Sequence, residues 1–280
     1  MVLSKSSENI LPTVSEINAC PNILSQPDGA AKVVKISNRF AVKFGKGVSI
    51  SEADNMQFIS TNTKVPVPKV FDAFTDAETN MTYIVMEFIQ GVTLQTLWPT
   101  LTVKERSNIT VKVRDAIIEL RKTTPPDYLG GIGQKPYNDS VFWTPDNNPA
   151  ISGPFANQPA MNKGIIERLR QNESRQYVQF MQEMVNRIFH GHRSTLTHGD
   201  LQPKNIIVSR TGTHEDGSGE FAIKLIDWEI AGWYPEHWEY CSSTVACRWK
   251  PDWLEAVTQI LDPYRTEYLL MQAIYSTVYY

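Results

Sequence analysis

The hydrophobic pattern of the chain changes at Gly91, and this change constrains the fold more than any other feature. Before Gly91, β-rich runs at residues 32–36 and 40–44 flank a polar turn, which is typical of a hairpin, and residues 82–88 form another apolar run. Beyond Gly91, apolar residues recur at helical spacing, at Ile109, Val113, Ile117 and Leu120. The sequence therefore predicts a small, mostly antiparallel sheet with one helix, followed by a helical part.

Composition excludes several classes of protein. A formal net charge of -3 with scattered Lys and Arg offers no basic surface for nucleic acid or anionic membranes. The 3 cysteines have no CxxC spacing, so neither a disulfide framework nor a structural zinc site is indicated. No apolar run reaches the roughly 18 to 20 residues of a membrane helix, and residues 1–26 lack a signal-peptide pattern. We expect a cytoplasmic protein that binds neither nucleic acid nor a membrane.

The loop from His198 to Asn205 carries the chemistry that the sequence makes visible. Asn205 follows Asp200 by five positions and leads into an apolar run, and Asp227 ends a second apolar run. A polar segment separates the two runs, so they are predicted to pair as a hairpin that brings Asp227 toward the loop. Phosphoryl transfer to a hydroxyl needs a carboxylate that accepts the proton of the nucleophile, and oxygen ligands that hold Mg²⁺. The loop and the hairpin together supply both.

Six short segments extend this pattern over most of the chain. They are residues 41–45, 52–53, 65–68, 86–91, 198–200 with 205–207, and 227–236. In this order they resemble the aminoglycoside phosphotransferase family, also called the phosphotransferase enzyme family, and most of all its fungal branch. The resemblance implies an α+β, bilobal protein-kinase-like fold with a small antiparallel-sheet N-lobe and a larger helical C-lobe. Residues 1–30 would be an N-terminal extension, 31–90 the nucleotide-covering lobe, and 91–280 the lobe with the catalytic loop, metal site and substrate pocket.

The resemblance also implies roles for individual residues. Lys43 would contact the α- and β-phosphates of ATP, with Glu52 as its ion-pair partner, and Asp200 would be the catalytic aspartate. Asn205 and Asp227 would be the ligands of Mg²⁺. The backbone of a hinge segment would hydrogen-bond the adenine, at Glu87, Phe88 and Ile89. The implied activity is ATP- and Mg²⁺-dependent transfer of a phosphoryl group to a hydroxyl of a small molecule, and the oligomeric state is left open.

The chain departs from the protein-kinase pattern at several places. Gly199 stands where protein kinases have arginine, and Asp-Trp-Glu replaces Asp-Phe-Gly at residues 227–229. No glycine-rich loop precedes the strand lysine, where only residues 28–29 and the turn at residues 37–38 are available. His198 is expected to hold the loop by bonding backbone carbonyls. Two rival interpretations stay open: a degenerate module that binds nucleotide without transfer, and a different group transfer on the same fold.

The acceptor is expected to be a weakly charged or singly cationic hydroxyl compound with apolar bulk. A polycationic aminoglycoside needs a dense acidic lining. Near the catalytic loop the few glutamates are instead interleaved with aromatic residues, namely Trp228, Trp233, Tyr234, Trp238 and Tyr240. Such aromatics would suit one cation at most. The alternative is that these aromatics belong to the core and that residues 123–159 line the pocket.

Overall fold

The structure, a computed structural model, describes residues 10–26, 29, 31–247 and 251–279. The start of the predicted N-terminal extension lies outside the described residues, as do Asp28, which precedes the strand lysine, and Tyr280. The described residues form two compact units. One lies within Met1–Gln57 and Pro68–Gln90, and the other within Phe58–Val67 and Gly91–Tyr280.

The first unit is built on a four-stranded antiparallel sheet with the strand order β1-β2-β4-β3. Its elements are α1 (Val14–Ala19), β1 (Lys32–Ile36), β2 (Phe40–Gly45), α2 (Ser51–Asn62, whose last residues belong to the second unit), β3 (Val70–Asp76) and β4 (Met81–Glu87). The pairing of β1 with β2 runs from Lys32↔Phe44 to Ile36↔Phe40. The predicted hairpin is therefore confirmed.

Apolar side chains of the sheet form the core of the first unit together with α1. Val34, Val42 and Tyr83 are fully buried, and Ile17 of α1 is buried in the same cluster. Residues of the predicted N-terminal extension thus contribute to this core. Because successive side chains of a strand point to opposite faces, burial of Val42 places Lys43 on the other face of β2.

The second unit is mainly helical and carries two small sheets. Its elements are β5 (Val92–Thr93), α3 (Leu94–Leu97), α4 (Val103–Leu120), β6 (Gly130–Gly131), α5 (Pro149–Ser152), α6 (Gln158–Leu169), α7 (Arg175–Ile188), β7 (Ser194–Thr197), β8 (Ile206–Thr213), β9 (Gly219–Leu225), β10 (Gly232–Pro235), α8 (Trp238–Cys247), α9 (Pro251–Ile260) and α10 (Arg265–Tyr279). The apolar face predicted on α4 is buried. The small antiparallel sheet followed by a mainly helical part confirms the predicted α+β class.

The three-stranded sheet β5-β8-β9 positions the predicted catalytic segment. β8 and β9 pair antiparallel with Ile206 opposite Leu225, as the predicted hairpin requires. The pairing continues by one residue, because the amide of Ile226 donates to the carbonyl oxygen of Asn205 at 2.9 Å. Asn205 and Asp227 are therefore brought to the same end of the hairpin. None of the helices that the structure describes combines the length and the apolar composition needed to cross a lipid bilayer.

His237 lies in the core of the second unit, and neither of its ring nitrogens has a hydrogen-bond partner among the described residues. Its ring stacks on Phe189 at 4.8 Å between centroids and lies 4.3 Å from the ring of His192. Burial lowers the pKa of His237 to about 3, and the charge of His192 acts in the same direction. Below pH 6.5, which is the ordinary pKa of histidine, His237 binds a proton in the unfolded chain but stays neutral in the folded chain until the pH approaches 3. Stability is therefore lost as the pH falls below 6.5.

We expect the free energy of unfolding to fall by about 2 kcal/mol more between pH 6.5 and about pH 5 in the native chain than in the His237→Phe variant. Phenylalanine preserves an aromatic ring at this position but cannot titrate. Chemical denaturation of both chains at the two pH values measures the difference. An equal pH dependence would show that His237 is protonated as readily in the folded chain as in the unfolded one.

Candidate active site

Lys43 and Glu52 form a buried ion pair in the first unit. The Nζ atom of Lys43 lies 2.7 Å from Oε2 of Glu52, and the two side chains are 12% and 2% exposed. Lys43 projects from β2 and Glu52 from the first turn of α2, so the pair ties the helix to the sheet. A charge buried this deeply is costly to leave unpaired. The ion pair expected from the sequence is present.

We expect Lys43→Met and Glu52→Gln each to lower kcat/KM for the nucleotide, and the double variant to lower it by less than the product of the two effects. The reason is that each single change already removes the same ion pair. A double-mutant cycle measures this coupling, and Lys46→Met, at an exposed lysine just after β2, controls for the loss of positive charge. Independent, fully multiplicative effects would contradict the prediction.

The predicted hinge segment offers one backbone donor at Ile89. The amide of Glu87 donates to the carbonyl oxygen of Lys69, and the amide of Phe88 to that of Arg39, both at 2.8 Å. Among the described residues nothing accepts from the amide of Ile89, which is half-buried. Of the three amides predicted to face adenine, that of Ile89 is therefore the one that remains for a ligand.

The carboxylate of Asp200 is held by three side chains of its own loop. Gln202 donates to Oδ1, Asn205 donates to Oδ2 at 2.8 Å, and Nζ of Lys204 lies 3.2 Å from Oδ2. Burial raises the pKa of the Asp200 carboxyl. The charge of Lys204 and the hydrogen bond from Gln202 lower this pKa by more than burial raises it, so the pKa lies below its ordinary value. Asp200 is therefore an ionised, oriented carboxylate near neutral pH, as a proton acceptor must be.

Glu239 and His198 fix the backbone around Asp200. Glu239, only 1% exposed, accepts from the amide of His198 at 2.6 Å and from that of Gly199 at 3.1 Å. The Nε2 atom of His198 lies 3.0 Å from the carbonyl oxygen of Ile226, so His198 bonds the loop to the end of β9 as expected. Gly199 has a φ of 85°, and a Cβ there would come within 2.5 Å of Ile230. The arginine of protein kinases cannot fit at this position.

Asn205 and Asp227 offer oxygen atoms that suit Mg²⁺. The amide nitrogen of Asn205 donates to the carboxylate of Asp200 at 2.8 Å and to its carbonyl oxygen at 2.9 Å, so the side-chain oxygen remains for a ligand. Asp227 has a left-handed φ of 67°, which costs free energy and which Asp and Asn tolerate best after glycine. Such strain is frequent at functional sites. A carboxylate and an amide oxygen at one end of a hairpin fit a hard cation.

A cavity of about 510 Å³ opens beside Asp200 within the second unit. Its lining includes Asn138, Ser140 and Trp143 from the segment between β6 and α5, together with residues of α8 and α10. The aromatic residues expected to line it are instead core residues with at most 5% exposure, at Trp228, Trp233, Tyr234, Trp238 and Tyr240. The interpretation of these aromatics as the pocket lining is therefore wrong, and the segment of residues 123–159 supplies part of the lining of this cavity.

The physical reason is that these rings pack on one another. Tyr234 stacks on Tyr137 at 4.3 Å and on Trp238 at 5.3 Å between centroids, and Trp228 lies 4.3 Å from the ring of His198. Mutual burial removes more apolar area from water than an open platform would. The five aromatic residues therefore belong to the core and do not line the cavity.

Asp139 connects this core to the cavity. It is 2% exposed, and its two oxygens accept from the amide of Val141 at 2.9 Å, from Nε1 of Trp238 at 3.0 Å and from the hydroxyl of Tyr275 at 3.4 Å. Burial raises the pKa of the Asp139 carboxyl above its ordinary value, although these donors act in the opposite direction. Asp139 therefore anchors the lining segment to α8 and α10.

Several residues of this site were not identified from the sequence. Gln202 and Lys204 lie inside the recognised loop, and their proximity to Asp200 is a signal that sequence reasoning could have used. The role of Glu239 could not be predicted, because a contact over about 40 residues leaves no local pattern. Asp139 sits in a Pro- and Gly-rich stretch that gives no periodicity.

Comparison with known proteins places this arrangement among enzymes that transfer phosphoryl groups. The family model described as "Phosphotransferase enzyme family" matches residues 33–268, well over half of the chain. The chain therefore belongs to the phosphotransferase enzyme family, and the predicted resemblance is confirmed. No curated protein sequence matches the chain.

Solved structures of aminoglycoside phosphotransferases share the fold. A ternary complex of a thermostable APH(4)-Ia mutant with AMP-PNP and hygromycin B is 16% identical, with a TM-score of 0.57 over 93% of this chain and 86% of that one. The GDP complex of aminoglycoside 2'-phosphotransferase-IIIa is 12% identical, with a TM-score of 0.57 over 92% of this chain and 83% of that one. At these identities the likeness establishes the protein-kinase-like fold.

Proposed function

We propose that this chain transfers the γ-phosphoryl group of ATP to a hydroxyl group of a small-molecule acceptor. The observation that carries the proposal is the carboxylate of Asp200, which three neighbouring side chains orient beside a cavity large enough for a small molecule. Family membership supports it, as does a structural relative that was captured with AMP-PNP and hygromycin B.

Asp200 would act on the acceptor hydroxyl. Its carboxylate would accept the hydroxyl hydrogen bond and then the proton, while the hydroxyl oxygen forms a bond to the γ-phosphorus. The bond between that phosphorus and the oxygen bridging the β- and γ-phosphates breaks, and ADP leaves with the electron pair. Gln202 and Lys204 would hold the carboxylate in place during this step.

The other predicted residues would bind the nucleotide. Lys43, oriented by Glu52, would contact the α- and β-phosphates, and the amide of Ile89 would donate to adenine. Asn205 and Asp227 would hold Mg²⁺, which when bound neutralises phosphate charge. On this proposal residues 31–90 serve the nucleotide and residues 91–280 serve catalysis and the acceptor.

The test is incubation of the chain with Mg·ATP and a broad metabolite extract, followed by mass spectrometry for compounds that gain a phosphate. The Asp200→Asn variant is the matched control. We expect phosphorylated products with the native chain and none with the variant. ATP binding without any Asp200-dependent product would instead favour the degenerate nucleotide-binding module, and transfer of another group would favour the second rival.

A further inference from the structure

Arg168 of α6 lines the cavity beside Asp200 without a counter-charge among the described residues. Its Nη1 atom donates to Oε1 of Gln171 at 2.8 Å, whereas its Nε atom is buried and has no acceptor in the described part of the chain. A guanidinium keeps its charge at any physiological pH and presents its donors in a planar fork. The cavity therefore contains a fixed positive charge that the described residues leave unpaired.

The carboxylates of the cavity do not offset this charge. Asp200 is engaged by Gln202, Asn205 and Lys204, and the Lys204 ammonium already balances it. Asp139 is almost fully buried, and its oxygens accept from Val141, Trp238 and Tyr275 as described above. Neither carboxylate is available to bind several ammonium groups, so a polycation would be poorly accommodated.

The remaining lining offers both apolar area and hydroxyl groups. Trp143 is 49% exposed, and Ile230, Val245 and Val278 add aliphatic surface. Ser140 and Ser242 also line the cavity. Such a lining suits a ligand with an apolar body and few polar groups.

We propose that the acceptor is a hydroxy acid, whose carboxylate pairs with Arg168 while its hydroxyl faces Asp200. This inference rests on the proposed function and narrows its substrate class. A carboxylate satisfies a guanidinium with two parallel N–H···O bonds, whereas a neutral or cationic acceptor would leave Arg168 unpaired in a partly buried site. Of the weakly charged or singly cationic acceptors expected from the sequence, this inference selects a weakly charged one whose charge is negative, because the unpaired charge in the cavity is positive.

The reaction remains a simple alcohol phosphorylation. The hydroxyl oxygen of the acid forms a bond to the γ-phosphorus of ATP, the bond from that phosphorus to the bridging oxygen breaks, and the proton passes to Asp200. The carboxylate of the substrate takes no part in bond making. Its pairing with Arg168 orients the molecule and excludes acceptors that lack it.

The test uses two matched pairs of probes, 3-phenyllactate with 3-phenyllactamide and 4-(hydroxymethyl)benzoate with its amide, and kanamycin as the polycation. Calorimetry in the presence of Mg²⁺ and AMP-PNP compares the native chain with Arg168→Gln and with Arg170→Gln. Arg170 is exposed, follows the end of the same helix and pairs with Glu167, so it controls for the loss of a cation at this helix terminus. Thermal denaturation verifies that both variants fold.

We expect at least one acid to bind about ten-fold or more tightly than its amide, and this preference to vanish in Arg168→Gln but persist in Arg170→Gln. No acid preference in either pair, an equal loss in both variants, or tighter binding of kanamycin than of the acids would overturn the inference. Acid binding that depends on Arg168 but gives no phosphorylated product would support the pairing of a carboxylate with Arg168, but it would contradict the proposed kinase activity and with it the role of the acid as acceptor. Asp200-dependent phosphorylation of neutral alcohols with no preference for the acids would support the proposed kinase activity and overturn the inference that the acceptor is a hydroxy acid.

Discussion

The Asp200→Asn variant is expected to turn over about 10²- to 10⁴-fold more slowly than the native chain. Asparagine is nearly isosteric but cannot take the proton of the acceptor hydroxyl. It can still accept one hydrogen bond from Gln202 or Asn205, so the loop should keep its conformation. The midpoint of thermal unfolding and the nucleotide affinity should therefore remain close to those of the native chain.

Steady-state kinetics, calorimetry with Mg·ATP and thermal denaturation together measure these three quantities. Lys204→Gln is the matched control, because it removes the ion pair at 3.2 Å but leaves the carboxylate in place. It should lower turnover far less than Asp200→Asn does. Turnover by Asp200→Asn at the native rate would overturn the assignment of Asp200 as the proton acceptor.

The Asp227→Asn variant is expected to bind nucleotide at least about 10²-fold more weakly in the presence of Mg²⁺. Substitution of a residue that hydrogen-bonds a metal ligand commonly lowers the affinity for the metal by about 10- to 100-fold. Loss of the charge of a ligand itself should lower it by no less. Asparagine tolerates the left-handed φ of 67° as well as aspartate does, so the change removes charge without adding backbone strain. Alanine at this position would both remove the charge and add backbone strain.

Calorimetric titration of ATP with and without Mg²⁺ measures the effect. The control is Asp216→Asn at the exposed tip of the β8–β9 hairpin, where the carboxylate pairs with Lys104. The control should keep the native response to Mg²⁺. If Asp227→Asn and the native chain gain the same affinity from Mg²⁺, then Asp227 is not a metal ligand.

The order of strands and helices could be predicted from the sequence because periodicity is a local property. The β-rich runs at residues 32–36 and 40–44 around a polar turn predict the β1–β2 hairpin, and the spacing from Ile109 to Leu120 predicts α4. The pairing of β8 with β9 was also predictable, since only a short polar segment separates the two runs. The strands β6 and β10 were not, because Gly130 and Gly131 pair with residues about a hundred positions away.

The parts of the site also divide into those that a local pattern predicts and those that depend on contacts between distant residues. The loop from Asp200 to Asn205 and the carboxylate of Asp227 follow from spacing within short segments, and the ion pair of Lys43 with Glu52 links neighbouring elements. The support of the loop by Glu239 and the anchoring of the cavity wall by Asp139 depend on contacts over about 40 to 136 residues. No local pattern encodes such contacts.

The residues of the predicted catalytic loop were therefore determined by the sequence alone, whereas the lining of the cavity beside Asp200 was decided by the tertiary structure. The aromatic residues after Asp227 have the composition of a binding platform, yet packing on Tyr137 and His198 buries them. Arginine is ordinarily a surface residue, yet the fold places Arg168 in the cavity wall. Which side of a residue meets solvent depends on partners distant in sequence, because burial is a property of the assembled core.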